Sequence, residues 1–197
     1  MQTQIVTSPD PGSKPIRNIA VVGARALSPK YTPKIQGIVA YLLDHDFHIA
    51  TGGAMGCDDH VIASLIYLNQ CNRGTIFSAW DNFKAFPVKV RKNIRLFSEQ
   101  GGEIVWGVSS GNQHASAIKL ALLARNTRLV QASNGVTAFL TEQSRGTFFT
   151  VQKAIEQRKR LVIFPIDREL PGFKVVKWVP LTCGGFWEGA FKAVYLR

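Results

Sequence analysis

The sequence predicts a single α/β domain, a three-layer αβα arrangement with a mostly parallel sheet and helices on both faces. Three observations carry this expectation. Short apolar runs, of the kind that suit strands buried on both faces, alternate with stretches whose apolar residues fall three and four apart. Glycine-bearing turns follow several of these runs, as at the carboxyl ends of parallel strands. The 197 residues, 46% of them hydrophobic, suffice to bury one full core.

Residues 1–17 lack the apolar core of a signal peptide and read as a loosely docked lead-in. Asn18 to Val22 is the first strand, and Gly23-Ala24-Arg25 follows it. Gly23 lets the backbone turn or approach a ligand closely, and Arg25 is placed to reach a phosphate from the strand end. Thr32 as N-cap and Pro33 as first helical residue open a helix with Ile35, Ile38, Val39, Leu42 and Leu43 as its buried stripe. Asp44 to Asp46 break it before a second strand, Phe47 to Ala50.

The next turn, Thr51 to Asp59, holds Gly52, Gly53 and Gly56 within five residues, so backbone must pass close to a ligand or to a neighbouring strand. Its spacing is not the G-x-G-x-x-G of a dinucleotide site. Asp58 is expected to cap the helix carrying Val61, Ile62, Leu65, Ile66 and Leu68. Asp58, Asp59 and His60 are consecutive and point to different helix faces, which argues against a metal site.

Gly74 to Trp80 reads as a third strand and Glu103 to Val108 as a fourth. Between them a basic helix begins near Pro87 and closes at Gly101-Gly102. Its Lys89, Arg91, Lys92 and Arg95 form a candidate secondary track for phosphates. Ser109 to Gln113 is a polar loop fit to line a site. A helix follows over Ala115 to Ala124, and then Arg125-Asn126-Thr127-Arg128, whose two arginines stand one turn apart.

Residues 136–165 form the most regular unit of the chain. Val136 to Leu140 is a buried strand, and Thr141 to Gly146 a polar loop. A helix with Phe148, Val151 and Ile155 on one face comes next, and Leu161 to Phe164 is a strand stopped by Pro165. Ser144, Arg145, Gly146 and Thr147 fall where free N–H groups and the helix dipole attract an anion. Residues 167–197 are an aromatic-rich extension expected to pack on the domain and cover a sheet edge.

Lys and Arg total 24 against 13 Asp and Glu, a net charge of +11. That balance favours a polyanionic partner, nucleic acid ahead of membrane, since no basic amphipathic membrane helix stands out. No apolar window is long enough to span a bilayer. Cys57, Cys71 and Cys183 are odd in number and lack C-x-x-C pairing, which fits a reducing cytoplasm and excludes a disulfide framework or zinc site.

Four motifs, in order across residues 18–166, resemble the DprA/Smf family of DNA-processing proteins, within the wider group of LOG-like and lysine-decarboxylase-like folds. Val22-Gly23-Ala24-Arg25 stands for V-G-S-R, and residues 51–58 (TGGAMGCD) for S-G-x-A-x-G-x-D. Arg125-Asn126 begins R-N-R, with Thr127 in third place and Arg128 displaced by one. Ser144 to Thr150, followed by Leu161 to Pro165, completes the set. Met55 departs from the pattern, standing where an Arg is common.

The resemblance implies a Rossmann-like core domain that dimerises, binds single-stranded DNA in a basic pocket and hands it to RecA. Arg25, Gly52, Gly53, Gly56, Arg125, Asn126, Ser144, Gly146 and Thr147 would line that pocket. Arg25, Arg125 and Arg128 would contact phosphates, while backbone at Gly52–Gly56 and Gly146-Thr147 cradles one. A LOG-like nucleotide site remains the alternative, either as a ligand sensor or as a phosphoribohydrolase of nucleoside 5′-monophosphates. That hydrolysis needs a carboxylate where this chain has Thr150, so the expectation is a non-catalytic protein without a cofactor.

Overall fold

The computed structural model describes residues 17–109 and 114–196. Six parallel strands run through its centre: β1 (Arg17–Gly23), β2 (Phe47–Thr51), β3 (Gly74–Phe77), β4 (Glu103–Val105), β5 (Gly135–Leu140) and β6 (Arg160–Pro165). A C-terminal hairpin of β7 (Val176–Pro180) and β8 (Phe191–Tyr195) completes an eight-stranded sheet in the order β4-β3-β2-β1-β5-β6-β8-β7. The mostly parallel α/β sheet expected from the sequence is thus what forms.

Side-chain alternation along the strands sorts the core into two layers. Val21, Phe139 and Phe164 face α1 (Thr32–Asp44), α2 (Cys57–Tyr67) and α3 (Arg91–Glu99), whose buried stripes include Ile35, Ile62 and Phe97. Ala20, Val22, Ala138 and Ile163 face the opposite way, against α4 (Ala115–Gln131) and α5 (Arg145–Glu156) through Leu129, Val130, Val151 and Ala154. Strand β5 is buried at all six positions because helices cover both its faces.

The chain winds outward from β1 to β4 on one face, then returns through α4 on the other to place β5 beside β1. Strand order therefore reverses between β1 and β5. Loops leaving the carboxyl ends of these two strands diverge to opposite faces and leave a crevice between them.

Several expectations shift at their ends. Arg17, placed in the lead-in, opens β1 opposite Phe47, with its guanidinium over the Phe47 ring at 4.4 Å. Thr32 is the first residue of α1 rather than its cap; its hydroxyl meets His60 Nδ1 at 3.1 Å, while Tyr31 occupies the cap position. A 3₁₀ turn over Val88–Val90 follows Pro87, and α3 starts only at Arg91. Pro165 pairs opposite Leu140 as the last residue of β6 instead of ending it.

Strands β3 and β4 are shorter than expected because their continuations pair irregularly, with a single bridge between Trp80 and Val108. The polar loop expected at 109–113 lies, apart from Ser109, outside the described residues. Helix α4 runs past Ala124, where the expected helix ended, through Arg125–Arg128 to Gln131, and both arginine heads find carbonyl partners inside the fold. The aromatic tail does more than cover an edge. It adds strands, β8 pairing antiparallel with β6 at Val162–Lys192 and Ile163–Phe191.

Candidate functional site

At the β1/β5 crevice lies a cavity of about 1030 Å³. The turn after β1 lines it with Gly23, Ala24 and Arg25, and the turn after β5 with Thr141 to Thr150. Helix α4 supplies a third wall from Ile118, Lys119, Leu122, Arg125 and Asn126. These positions recur every three or four residues and so share one helix face.

The floor is the start of α5. Ser144 sits at its N-cap without bonding the first turn, because the hydroxyl closes the preceding loop instead. It accepts from Thr141 N at 2.9 Å and donates to Thr141 O at 2.8 Å. The backbone N–H groups of Gly146 and Thr147 therefore keep the positive end of the helix dipole directed at the cavity, with no acidic side chain in the first turn. Asn126 reaches over from α4 to donate to Gly146 O at 3.2 Å, tying the two walls together. Exposed Arg25, Lys119 and Arg145 stand around this floor, and half-buried Phe148 and Phe149 give it an aromatic side.

Arg125 lines the cavity and also has partners inside the fold. It is buried, with its guanidinium donating to Gly52 O and lying 3.8 Å from the Asp58 carboxylate. Asp58 is not a cap; its Oδ2 accepts from Ala54 N at 3.1 Å, inside the glycine turn. Burial raises the Asp58 carboxyl above its ordinary range, against the opposing pull of Arg125 and the Ala54 N–H. Burial likewise lowers Arg125. The pair is thus a desolvated tie between α4 and the β2–α2 turn.

Arg128, one turn on, donates to Ser78 O at 2.6 Å and Trp106 O at 3.0 Å. It gathers the frayed ends of β3 and β4 and does not line the cavity.

The glycine turn is built for packing of loop on loop. Gly56 has φ +74°, and a side chain there would run into the backbone oxygens of Ala24 and Arg25. Gly53 lies under the Phe86 ring, and Gly52 under the Arg125 guanidinium. Gly52, Gly53 and Gly56 thus shape the cavity from behind without lining it. Gly23, Arg25, Arg125, Asn126, Ser144, Gly146 and Thr147 do line it. Lys89, Arg91, Lys92 and Arg95 lie elsewhere, on the segment between β3 and β4. Sequence reasoning missed Lys119 and the apolar wall of α4, although the 118, 122, 126 spacing was present to be read.

Comparison with known proteins decides the family. A family model described as DNA recombination-mediator protein A matches residues 9–174. The chain belongs to that family. Among solved structures, DNA processing protein A (DprA) from Streptococcus pneumoniae superimposes with a TM-score of 0.60 at 23% identity, covering 81% of this chain and 52% of that one. The DNA processing protein A from Helicobacter pylori, described for its single-stranded DNA binding mode, gives 0.58 at 21% identity, covering 78% and 66%.

The chain thus spans about half of the first protein and about two thirds of the second. A molybdenum cofactor binding protein from Rippkaea orientalis shares the fold at a TM-score of 0.51 and 18% identity, covering 79% of this chain and 80% of that one. No curated protein matches the chain. The DNA recombination-mediator A family is the one that the four motifs resemble, and all four meet in this structure at or just behind the β1/β5 crevice.

Proposed function

We propose that the chain binds single-stranded DNA, without sequence preference and without catalysis, in the cavity between β1 and β5. One observation carries the reading. The α5 N-terminus has no side-chain cap, opens into the cavity and is flanked by Arg25, Lys119 and Arg145, the arrangement that seats a phosphate. Phe149, and Phe148 stacked on Phe173, give the cavity an aromatic side of the kind that bases pack against. The +11 charge supports the same partner. Action as a homodimer that passes the strand to RecA completes the proposal, on the family resemblance.

Absence of catalysis rests on Thr150. At the position where hydrolysis would need a carboxylate, its hydroxyl donates to Gly146 O at 3.0 Å in the buried side of α5. Two acidic residues favour a second reading: Glu142 and Asp167 also line the cavity. Carboxylates there suit the sugar hydroxyls of a bound mononucleotide better than a string of phosphates.

Fluorescence anisotropy of a labelled single strand, with duplex competitor and several salt concentrations, tests the proposal. Preferential strand binding with a steep salt dependence is expected. Arg25→Ala weakens binding on every sequence and reduces the salt slope by about one unit. Absence of binding even at low salt overturns the reading, and titration with nucleoside 5′-monophosphates, with a hydrolysis assay, then tests the second.

A further inference from the structure

Resting on that strand-binding reading, we infer that a bound strand leaves the cavity along the carboxyl edge of the sheet and reaches a second, base-stacking subsite at Phe83 and Trp106. The loops between the two places pack directly on one another. Gly56 lies against the carbonyls of Ala24 and Arg25 at the cavity rim, and Gly53 of the same turn lies against Phe86. The Phe86 ring is 6.5 Å from Phe83 and 6.0 Å from Trp106. The span from β1 to β4 is three strand spacings, about 14 Å, the length of roughly four stacked nucleotides.

The end of this path has the chemistry that unpaired bases require. Phe83 and Trp106 meet edge to face at 5.2 Å, and Trp106 keeps 36% of its surface exposed at the end of a three-residue edge strand. Arg95 lies over the Phe83 ring at 5.5 Å. Cations crowd the same segment: residues 81–100 hold five Lys or Arg against two acids. Of these, Arg91 is spent on structure, donating to Phe86 O and Lys84 O at 2.8 Å each, and so holds the loop that presents Phe83. Lys84, Lys89, Lys92 and Arg95 are exposed.

An exposed aromatic among exposed cations selects a single strand, since a duplex keeps its base faces stacked internally. The basic segment expected as an extension of the phosphate track thus acquires a stacking centre, and Arg91 leaves the set of phosphate contacts.

The test compares oligothymidylates of about four and about twelve nucleotides, by anisotropy, on the full chain. Trp106→Ala is expected to weaken the longer strand about tenfold and leave the shorter unchanged. Because Trp106 also packs on Phe86, a second variant spares the fold: Lys89→Ala combined with Lys92→Ala, both exposed, lowers the salt slope of the longer strand by about 1.4 units. Unchanged binding of the longer strand in both variants, or equal losses at both lengths, overturns the subsite. If the unmodified chain binds neither length, strand binding itself falls and the subsite with it.

Discussion

Arg125→Ala is expected to destabilise the fold by about 3–5 kcal/mol, as removal of one partner from a buried ion pair does. The guanidinium is what neutralises Asp58, fills the space over Gly52 and joins α4 to the β2–α2 turn. Its loss removes the strongest favourable partner of a buried carboxylate and leaves the Ala54 N–H, the Thr51 side chain and the weaker pull of Arg25 to support it. Urea unfolding measures the cost. Stability within about 1 kcal/mol of the parent, together with lost DNA binding, would return Arg125 to the role of a phosphate contact.

The pH dependence of this loss has a definite sign. Burial lifts the Asp58 carboxyl above the ordinary aspartate value of 3.8, so the native state holds the proton more tightly than the unfolded chain. As pH rises from 3.8 through the native value, the unfolded state releases its proton first and stability falls. Removing Arg125 deletes an interaction that opposes the rise. The cost of Arg125→Ala is therefore smallest while the native Asp58 is protonated and grows as pH rises through its native value, which lies above 3.8, and Asp58→Asn abolishes the slope due to this group.

Gly146→Asp separates binding from stability. A β-carbon at Gly146 meets Asn126 Nδ2 at 3.9 Å, an ordinary contact, so the position accepts one without strain. A carboxylate in the first turn of α5 complements the helix dipole, and replacing glycine in a helix removes an entropic cost. Thermal stability should hold or rise by about 1 kcal/mol. The same carboxylate occupies the seat of the phosphate and repels it, so affinity for a single strand should fall on the order of a hundredfold. A variant that binds DNA normally would remove the α5 N-terminus from the site. Gly146→Ala, which adds the methyl without the charge, controls for shape.

The sequence by itself determined the layers, the order of elements through β6 and the place of the crevice. Buried runs such as residues 136–140 must be strands covered on both sides, and a polar Gly-Thr turn before a helix must lie at the carboxyl edge. These are consequences of local periodicity and backbone chemistry, readable within a window of a few residues. The cavity's Gly23, Arg25, Ser144 and Gly146 followed from that reading.

Only the tertiary structure decided which charges stay exposed at the cavity. Arg25 and Arg125 look alike in sequence, each beside a strand or helix end, yet one is exposed and the other is buried against Asp58. Arg128 and Arg91 likewise turn to backbone carbonyls. The extent of α4 and the two added strands were settled in the same way. A long side chain's free energy depends on acceptors and neighbours brought from distant parts of the chain, so its direction is a property of the assembled fold.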